Sequence, residues 1–335
     1  MNVLITGGVG FIGTNCVAYF SRQKHQITVV DNFSRAGVDQ NAAYLLKLNP
    51  KLTIVQTDVR RTRAYLQQIK RADLIIHLAG QTAVTTSMAH PDRDFSGNLI
   101  GGFSLLDAVR RHNPHAVVLY ASTNKVYGDL HLHRIRLQRQ KEQYADWCHQ
   151  HGIDEDARLD FISPYGCSKG AVDCYFRDYA RSFGLKTVVF RQSCIYGPHQ
   201  LGVEDQGWVA HFAKQTLRQR PITIFGDGFQ VRDLLHVDDL IDAYQRAFAR
   251  ANTLAGQAIN VGGGTHNAFS LIQVIRLLSQ KIGTTPRLTY QPARPGDQLY
   301  FVSTNRRART ELGWKPTISF SSGVDSLIGW QRRHL

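Results

Sequence analysis

The chain contains 335 residues, of which 43% are apolar, and it carries a formal net charge of +14. This length exceeds what one core of ordinary size needs, and no apolar run approaches the ~20 residues of a membrane span, so we expect a soluble, cytoplasmic protein of two lobes with no membrane partner. The basic residues are scattered without interleaved aromatic residues, which argues against a nucleic-acid partner and suits an anionic substrate.

Cysteine and histidine patterns argue against disulfides and against a metal site. The five cysteines are odd in number and form no CxxC pair, as expected for free thiols in a reducing compartment. The close pairs His131/His133 and His149/His151 have no cysteine or acidic partner at ligand spacing, so we predict no metal.

The first half of the chain alternates short β-branched runs with helical patterns. This alternation predicts an α/β fold with a doubly wound, parallel Rossmann-type sheet, whose ligands bind beyond the carboxyl ends of the strands. The predicted strands lie near residues 2–6, 27–31, 52–56, 73–78, 115–121 and 186–191, and a strand near 258–262 is expected to return to the same sheet.

A glycine-rich turn follows the first predicted strand and opens a helix. In TGGVGFIG, Gly7, Gly10 and Gly13 recur every three residues, and Gly8 also completes a GxGxxG pattern. Glycines permit a tight turn and a close backbone approach to a pyrophosphate, which then lies at the helix N-terminus. The pattern predicts a dinucleotide site.

Acidic residues follow the second and third predicted strands. Asp31 closes the second strand, where a carboxylate accepts hydrogen bonds from the adenosine ribose and repels a 2′-phosphate, so NAD is favoured over NADP. Arg35 is a counter-indication because it could pair with such a phosphate. Asp58 is placed to accept from the adenine amino group, or serves as a turn residue. We therefore assign residues 1–193 to an NAD-binding domain.

The strongest catalytic pattern combines STNKVYG (122–128) with YGCSK (165–169). Tyr165 and Lys169 would lie one helical turn apart on the same face, although a solvent-facing pair has the same spacing. A neighbouring ammonium is expected to lower the pKa of the phenol from about 10 toward working pH. Such a tyrosine can take a proton from a substrate hydroxyl while hydride leaves the same carbon for NAD⁺, with Thr123 holding the hydroxyl in line.

The remaining sequence is less regular. Residues 129–160 are polar and charge-rich without a sustained period, which is typical of a functional or disordered insertion. Beyond residue 194, segments rich in glycine and proline predict a smaller α/β substrate-binding lobe, discontinuous and mainly within 194–335. Arg232 and Arg294 fall in this half and could bind a diphosphate. Trp208 could stack on a base or pack in a core, whereas Phe225 is expected in the core.

The segments TGGVGFIG, HLAG, STNKVYG, PYGCSKG, FRQSCIYGP and VRDLLHVDD resemble the extended short-chain dehydrogenase/reductase family along nearly the whole chain. DNFSRAG, LDFISPYGCSKG and DQGWV are most similar to its branch that epimerises CDP-activated sugars at C2. The chain departs from many sugar-nucleotide epimerases at Cys194, where they carry asparagine, and in its basic insertion.

The resemblance implies NAD as cofactor and a nucleotide-diphosphate sugar, with a CDP-sugar favoured, as substrate. It implies Thr123, Tyr165 and Lys169 as the catalytic set. The implied cofactor ligands are Gly7, Gly10, Phe11, Ile12, Gly13, Asp31, Asn32, Ser34, Arg35, Asp58, Val59, Leu78, Ala79, Gln81, Asn98, Tyr165 and Lys169. The implied substrate ligands are Thr123, Asn124, Cys194, Gln206, Gly207, Trp208, Arg232, Arg294 and Asp297.

Other functions remain open beside a 2-epimerase. A 4-epimerase has the same catalytic residues, because only the carbon presented to the nicotinamide differs. A 4,6-dehydratase is disfavoured because Asn124 and Lys125 stand where such enzymes carry an acidic pair. A reductase must exchange its cofactor in each turnover, and a non-catalytic NAD-binding sensor would keep the fold without the chemistry.

A homodimer is expected from the two helices near 98–111 and 165–183. Their apolar residues occupy more than one face, which is more than contact with a sheet requires. In resembling enzymes such helices pair across a two-fold axis. The residues concerned are Phe103, Leu105, Leu106, Val109, Val172, Tyr175, Phe176 and Tyr179.

Overall fold

The computed structural model of the protein describes residues 1–130, 136–146, 151–294 and 296–335. The chain forms two compact units, each built from three segments. The first comprises residues 1–123, 163–191 and 241–259, and the second comprises 124–162, 192–240 and 260–335. The expected first domain comprised residues 1–193 and a returning strand near 258–262, whereas the first unit leaves out residues 124–162 and includes 241–259.

Strands and α-helices are numbered separately along the chain. The strands are β1 (Asn2–Thr6), β2 (Gln26–Asp31), β3 (Thr53–Gln56), β4 (Leu74–His77), β5 (Val117–Thr123), β6 (Leu137–Gln140), β7 (Gln143–Asp146), β8 (Lys186–Gln192), β9 (Cys194–Tyr196), β10 (Ile222–Phe225), β11 (Val231–His236), β12 (Gln257–Val261), β13 (Ala268–Ser270), β14 (Leu288–Gln291) and β15 (Tyr300–Phe301). The α-helices are α1 (Phe11–Arg22), α2 (Val38–Leu48), α3 (Leu66–Arg71), α4 (Val84–Ala89), α5 (Pro91–Asp94), α6 (Gly101–His112), α7 (Ser163–Phe183), α8 (Trp208–Leu217), α9 (Val237–Ala249), α10 (Ala251–Leu254), α11 (Leu271–Ile282), α12 (Arg306–Leu312) and α13 (Phe320–His334).

The first unit is built on a seven-stranded sheet with the order β12-β8-β5-β4-β1-β2-β3. Strand β1 pairs in parallel with β2 on one side and with β4 on the other, so that Val3 lies opposite both Ile27 and Leu74. The strand order reverses at β1, which creates the crevice where such sheets bind ligands. The predicted Rossmann-type fold is confirmed, and β12 is the predicted returning strand.

The core of this unit explains the apolar strand sequences. Both faces of a doubly wound sheet are covered, so its strands are rich in valine, isoleucine and leucine. On one face, Leu4, Ile75 and Val118 are buried with Leu105 of α6 and Phe176 of α7. A short π-helical segment, Phe95–Ile100, leads directly into α6.

The second unit contains smaller sheets packed on helices. Strand β11 pairs with β9, β13 and β15, and β10 pairs in parallel with β14. Helices α8, α11 and α13 bury one apolar cluster that includes Phe212, Val274 and Leu327. Helix α11 begins with a capping box between Ser270 and Gln273, which satisfies backbone donors of its first turn.

The insertion at 129–160, which was predicted to be functional or disordered because it lacks a sustained period, contains the antiparallel hairpin β6–β7. The backbone N–H of Tyr144 donates to Phe229 O at 3.0 Å, and its hydroxyl donates to Asp227 Oδ2 at 2.8 Å. Arg139 lies over the Phe229 ring, 4.3 Å from its centroid. These contacts hold the hairpin, whose strands LQRQ and QYAD are mostly polar.

Parts of the insertion fall outside the described residues, including His131, His133 and His149. Within residues 1–130, 136–146, 151–294 and 296–335, no helix combines the length and the apolar character that crossing a membrane requires.

Candidate active site

The glycine turn is shaped by close backbone contacts. Gly7 has φ +72°, and a Cβ at this position would lie 2.8 Å from Ala79 N, so both its conformation and its space require glycine. Gly10 precedes α1, which has no side-chain cap and no acidic residue in its first turn. The first N–H groups of α1 are therefore available to an anion at the carboxyl end of β1.

Asp31 ends β2 beside this turn. Its carboxylate accepts hydrogen bonds from Val9 N at 3.2 Å and from Phe33 N at 2.9 Å. Burial raises its pKa, and the backbone donors act in the opposite direction. The neighbouring Asn32 accepts from Ser34 N at 3.1 Å. The structure thus fixes the Asp31 carboxylate next to the glycine turn.

The cofactor ligands predicted after β3 are held by hydrogen bonds to their neighbours. Asp58 forms an ion pair with Arg60 at 2.8 Å, and this hydrogen bond lowers the pKa of Asp58. Val59 O accepts from the buried Tyr65 hydroxyl at 2.5 Å. Arg60 was not predicted from the sequence. Its backbone N–H also donates to Asp58 Oδ1 at 2.9 Å, which is the contact expected if Asp58 serves as a turn residue.

Two buried amide oxygens lie near the end of β4. Asn98 Nδ2 donates to Gln81 O at 3.0 Å and to Asp94 Oδ1 at 2.9 Å. The side-chain oxygens of Asn98 and Gln81 are buried without a hydrogen-bond partner among the described residues. Such orphaned acceptors fit a ligand rich in N–H and O–H groups. With the glycine turn and Asp31, they show that the residues present fit NAD.

Thr123 and Tyr165 are brought together at the end of β5. Thr123 is the last residue of that strand, and Tyr165 lies in the first turn of α7. Both side chains are buried. Burial raises the pKa of Tyr165 to about 12, while its hydrogen bond with Thr123 acts in the opposite direction. The predicted lowering of this pKa is wrong in direction, because desolvation of a phenolate is invisible in a residue pattern.

Lys169 lies one turn further along α7, as predicted, and is buried. Its ammonium lies 4.5 Å from the centroid of the Tyr120 ring. Burial lowers its pKa to about 8, opposed by the charges of Asp94 and Asp173. Neither acid was identified from the sequence. Asp94 precedes the predicted ligand Asn98 by one helical turn, and this spacing is the sequence feature that could have identified Asp94.

A neutral histidine completes this group. His77 ends β4, and its Nδ1 lies 2.7 Å from Thr6 Oγ1. Burial, and secondarily the charge of Lys169, lowers the pKa of His77 to about 3. Because the His77 ring is neutral, the positive charge of this group lies on Lys169, beside the Tyr120 ring. The carboxylates of Asp94 and Asp173 stabilise that charge.

In the second unit, Arg232 and Asp297 form a partly buried ion pair. Arg232 NH2 donates to Asp297 Oδ1 at 2.7 Å, and its NH1 donates to Val231 O at 2.8 Å. The Arg294 side chain lies 2.9 Å from Asp205 Oδ1 and 3.2 Å from Glu204 Oε1. Its guanidinium lies 3.7 Å from the centroid of the Phe225 ring. Phe225 is half-buried under an arginine, so its expected place in the core is wrong.

The DQGWV segment leads into α8. Gly207 has φ +76° and precedes Trp208, the first residue of that helix. The Gln206 side-chain oxygen is buried without a partner among the described residues. Cys194, whose thiol pKa is raised by burial, shares a hydrogen bond with Trp208. Asn124 Nδ2 donates to Gln298 Oε1 at 3.3 Å, and Gln298 was not predicted.

The fold and the first unit's site together define a Rossmann-type enzyme that uses a nicotinamide dinucleotide. Residues 3–262 match the model of the NAD dependent epimerase/dehydratase family. The chain belongs to this family and is an NAD-dependent epimerase.

Three known proteins illustrate the similarity. The chain is 40% identical over 337 residues to CDP-paratose 2-epimerase from Salmonella typhi, covering 98% of this chain and 99% of the relative. A structure of UDP-glucose 4-epimerase with UDP-glucose from Thermotoga maritima matches with a TM-score of 0.85 and 29% identity, over 100% and 99% of the two chains. The Thermus thermophilus UDP-glucose 4-epimerase complex with NAD matches with a TM-score of 0.83 and 28% identity over both whole chains.

Proposed function

We propose that the protein inverts C2 of a CDP-activated sugar, as the name of CDP-paratose 2-epimerase describes. The observation that carries this proposal is the 40% identity to that enzyme, which extends over 98% of the chain. The catalytic residues are Thr123, Tyr165 and Lys169. The product has the same oxidation state as the substrate, so the cofactor need not be exchanged between turnovers.

Tyr165 is the acid–base residue in this proposal. Bound NAD⁺ would supply an acceptor for the hydride of the sugar carbon and a donor for its return within one turnover. Tyr165 accepts the proton of the C2 hydroxyl as the 2-keto sugar forms. It returns the proton after the 2-keto sugar has rotated in the site to present its other face. Thr123 holds the hydroxyl in line. The buried ammonium of Lys169 favours the phenolate that burial alone disfavours.

Direct removal of the C2 proton is a poor alternative. C2 adjoins the anomeric carbon, which carries the diphosphate and has no carbonyl to acidify that proton. The end of β5 also continues as Thr123, Asn124 and Lys125, without the two carboxylates that would serve enolisation or elimination. Oxidation at C2 by hydride transfer does not require removal of this weakly acidic C2 proton.

The second unit contributes most of the residues proposed for the nucleotide sugar. Arginines bind phosphates through two parallel N–H donors, which suits Arg232 and Arg294 to a diphosphate. The full proposed set is Thr123, Asn124, Cys194, Gln206, Gly207, Trp208, Arg232, Arg294 and Asp297.

A 4-epimerase is the second candidate, because the solved UDP-glucose 4-epimerases match the whole chain at 28–29% identity. The two functions are distinguished by incubating the purified protein with CDP-, UDP-, GDP- and dTDP-sugars and determining product stereochemistry by NMR. Inversion at C2 of a CDP-sugar supports the proposal. Inversion at C4 of a UDP-sugar, with CDP-sugars unchanged, replaces it with the second candidate.

We also propose a homodimer that uses α6 and α7. Of the residues singled out in the sequence, Leu105, Leu106 and Val109 are buried within the first unit. Phe103 and Tyr175 remain 37% and 42% exposed, and their rings contact each other edge to face at 5.5 Å. Exposed aromatic pairs of this kind are typical of protein interfaces.

Replacing Tyr175 with aspartate is expected to convert the dimer to a monomer at micromolar concentration, because it buries a charge in an apolar interface. Sedimentation equilibrium measures this directly. Leu46→Asp is the matched control, since Leu46 is a similarly exposed apolar residue on α2. A wild-type protein that sediments only as a monomer contradicts the proposal.

A further inference from the structure

Lys125 is a lysine of the second unit held among buried polar groups. It follows Asn124 in the short 3₁₀-helical turn Asn124–Tyr127. Its Nζ lies 3.2 Å from Gln298 Oε1 and 3.8 Å from Asp297 Oδ1. Gln298 is itself buried and donates to Gly128 O. The ammonium is therefore fixed in place by neighbours that are also fixed.

Lys125 and Arg232 share one carboxylate. Asp297 Oδ1 accepts from Arg232 at 2.7 Å and lies 3.8 Å from Lys125. Burial opposes ionisation of Asp297, but the charges of Arg232 and Lys125 lower its pKa overall. Burial and the Arg232 charge likewise lower the pKa of Lys125 to about 8. Among the described residues, the two cations thus share one carboxylate.

The nearby carboxylate of Asp233 is directed elsewhere. It accepts from Ser303 Oγ at 2.5 Å, from Gly264 N at 3.1 Å and from the Ser193 hydroxyl. The Asp297 side chain is 35% exposed and that of Lys125 is 18% exposed, so an anion or another electron-rich oxygen that reaches this carboxylate meets two cationic donors. A nucleotide-diphosphate sugar carries such oxygens on its phosphates and its sugar.

We propose that Lys125 is a specificity residue whose ammonium donates a hydrogen bond to the sugar-phosphate half of the substrate, beside Arg232. This inference rests on the proposed use of a nucleotide sugar, but not on which carbon is inverted. Asp297 orients both cations, and Gln298 sets the position of the ammonium. The nucleoside half of the substrate makes no contact with Lys125.

The test compares Lys125→Met and Lys125→Arg with wild type in the NAD-loaded protein. Isothermal titration calorimetry gives the Kd of CMP, CDP and CDP-glucose, and of the corresponding uridine compounds. We expect Lys125→Met to bind the nucleotide-glucose at least tenfold more weakly with no change for the monophosphate, and Lys125→Arg to recover part of the loss. Lys281→Met is the matched control, because Lys281 pairs with Asp325 on the surface.

The affinity of the variants for CDP shows which oxygen of the substrate Lys125 contacts. Weaker binding of CDP places the contact at the phosphate, and a loss confined to CDP-glucose places it at the sugar. Unchanged binding of the nucleotide-glucose overturns the proposal. So does an equal loss for all three ligands with a lowered melting temperature, which is the result of a purely structural role. Failure of wild type to invert C2 refutes only the proposed reaction, since these affinities do not depend on which carbon is inverted.

Discussion

Replacing Tyr165 with phenylalanine is expected to lower kcat by about 10²–10⁴-fold while NAD stays bound, because the variant loses only the group that moves the proton. The ring remains to fill its buried position at the start of α7. The measurement is turnover of the accepted nucleotide sugar, together with the absorbance of nucleotide released on denaturation.

The matched control is Tyr127→Phe. The Tyr127 hydroxyl is also buried and donates to Asn260 Oδ1 at 2.7 Å, but it belongs to the second unit. We expect this variant to lose about 1 kcal/mol of stability and to keep its turnover. If Tyr165→Phe retained more than a tenth of the wild-type rate, Tyr165 would not be the base.

Lys169→Met is expected to lose both turnover, by about 10²-fold or more, and part of its bound NAD. The methionine keeps the buried stem but removes the ammonium that favours the Tyr165 phenolate. The same ammonium is proposed to reach the nicotinamide ribose, which accounts for the expected loss of cofactor. Wild-type values for both the rate and the NAD content would exclude Lys169 from the site.

The pH profile provides an independent readout for Lys169. The active form needs a Tyr165 phenolate beside a Lys169 ammonium, and burial holds their pKa values at about 12 and about 8. Below the lysine pKa, raising the pH increases the phenolate while the ammonium is retained. Above it, gain of phenolate and loss of ammonium offset each other.

We therefore expect kcat/KM to rise with pH and then level off. The positive nicotinamide of bound NAD⁺ lowers both pKa values, so the diagnostic feature is the shape of the profile. In Lys169→Arg the cation persists at every accessible pH, and the level region should become a continued rise. A profile with the same level region in that variant would assign it to another group.

The sheet was predictable because its strands are buried on both faces. The strands β1 and β4 have apolar centres, VLI and LII, and the polar residues Thr6 and His77 end them at the ligand edge. The hairpin β6–β7 was not predictable. Its strands are polar and partly exposed. The hairpin is held because its own residues Tyr144 and Arg139 contact Asp227 and Phe229 of another loop.

The candidate site was predictable where spacing alone defines it. Tyr165 and Lys169 were predicted because a helix places residues four apart on one face, and Thr123 was predicted from its position at a strand end; the structure has them in those positions. Asp94, Asp173 and Gln298 were missed, since isolated acids and amides carry no periodic pattern and act through tertiary contacts. Burial of Tyr165 was missed for the same reason, and it reversed the expected direction of its pKa.

The proposed chemistry is tested most directly by following deuterium at C2. Substrate deuterated at C2 should keep its label through epimerisation and show a primary isotope effect if hydride transfer limits the rate, while unlabelled substrate in D₂O should gain no deuterium at carbon. Solvent deuterium appearing at C2 would contradict oxidation at that carbon, and an isotope effect from label at C4 instead of C2 would establish a 4-epimerase.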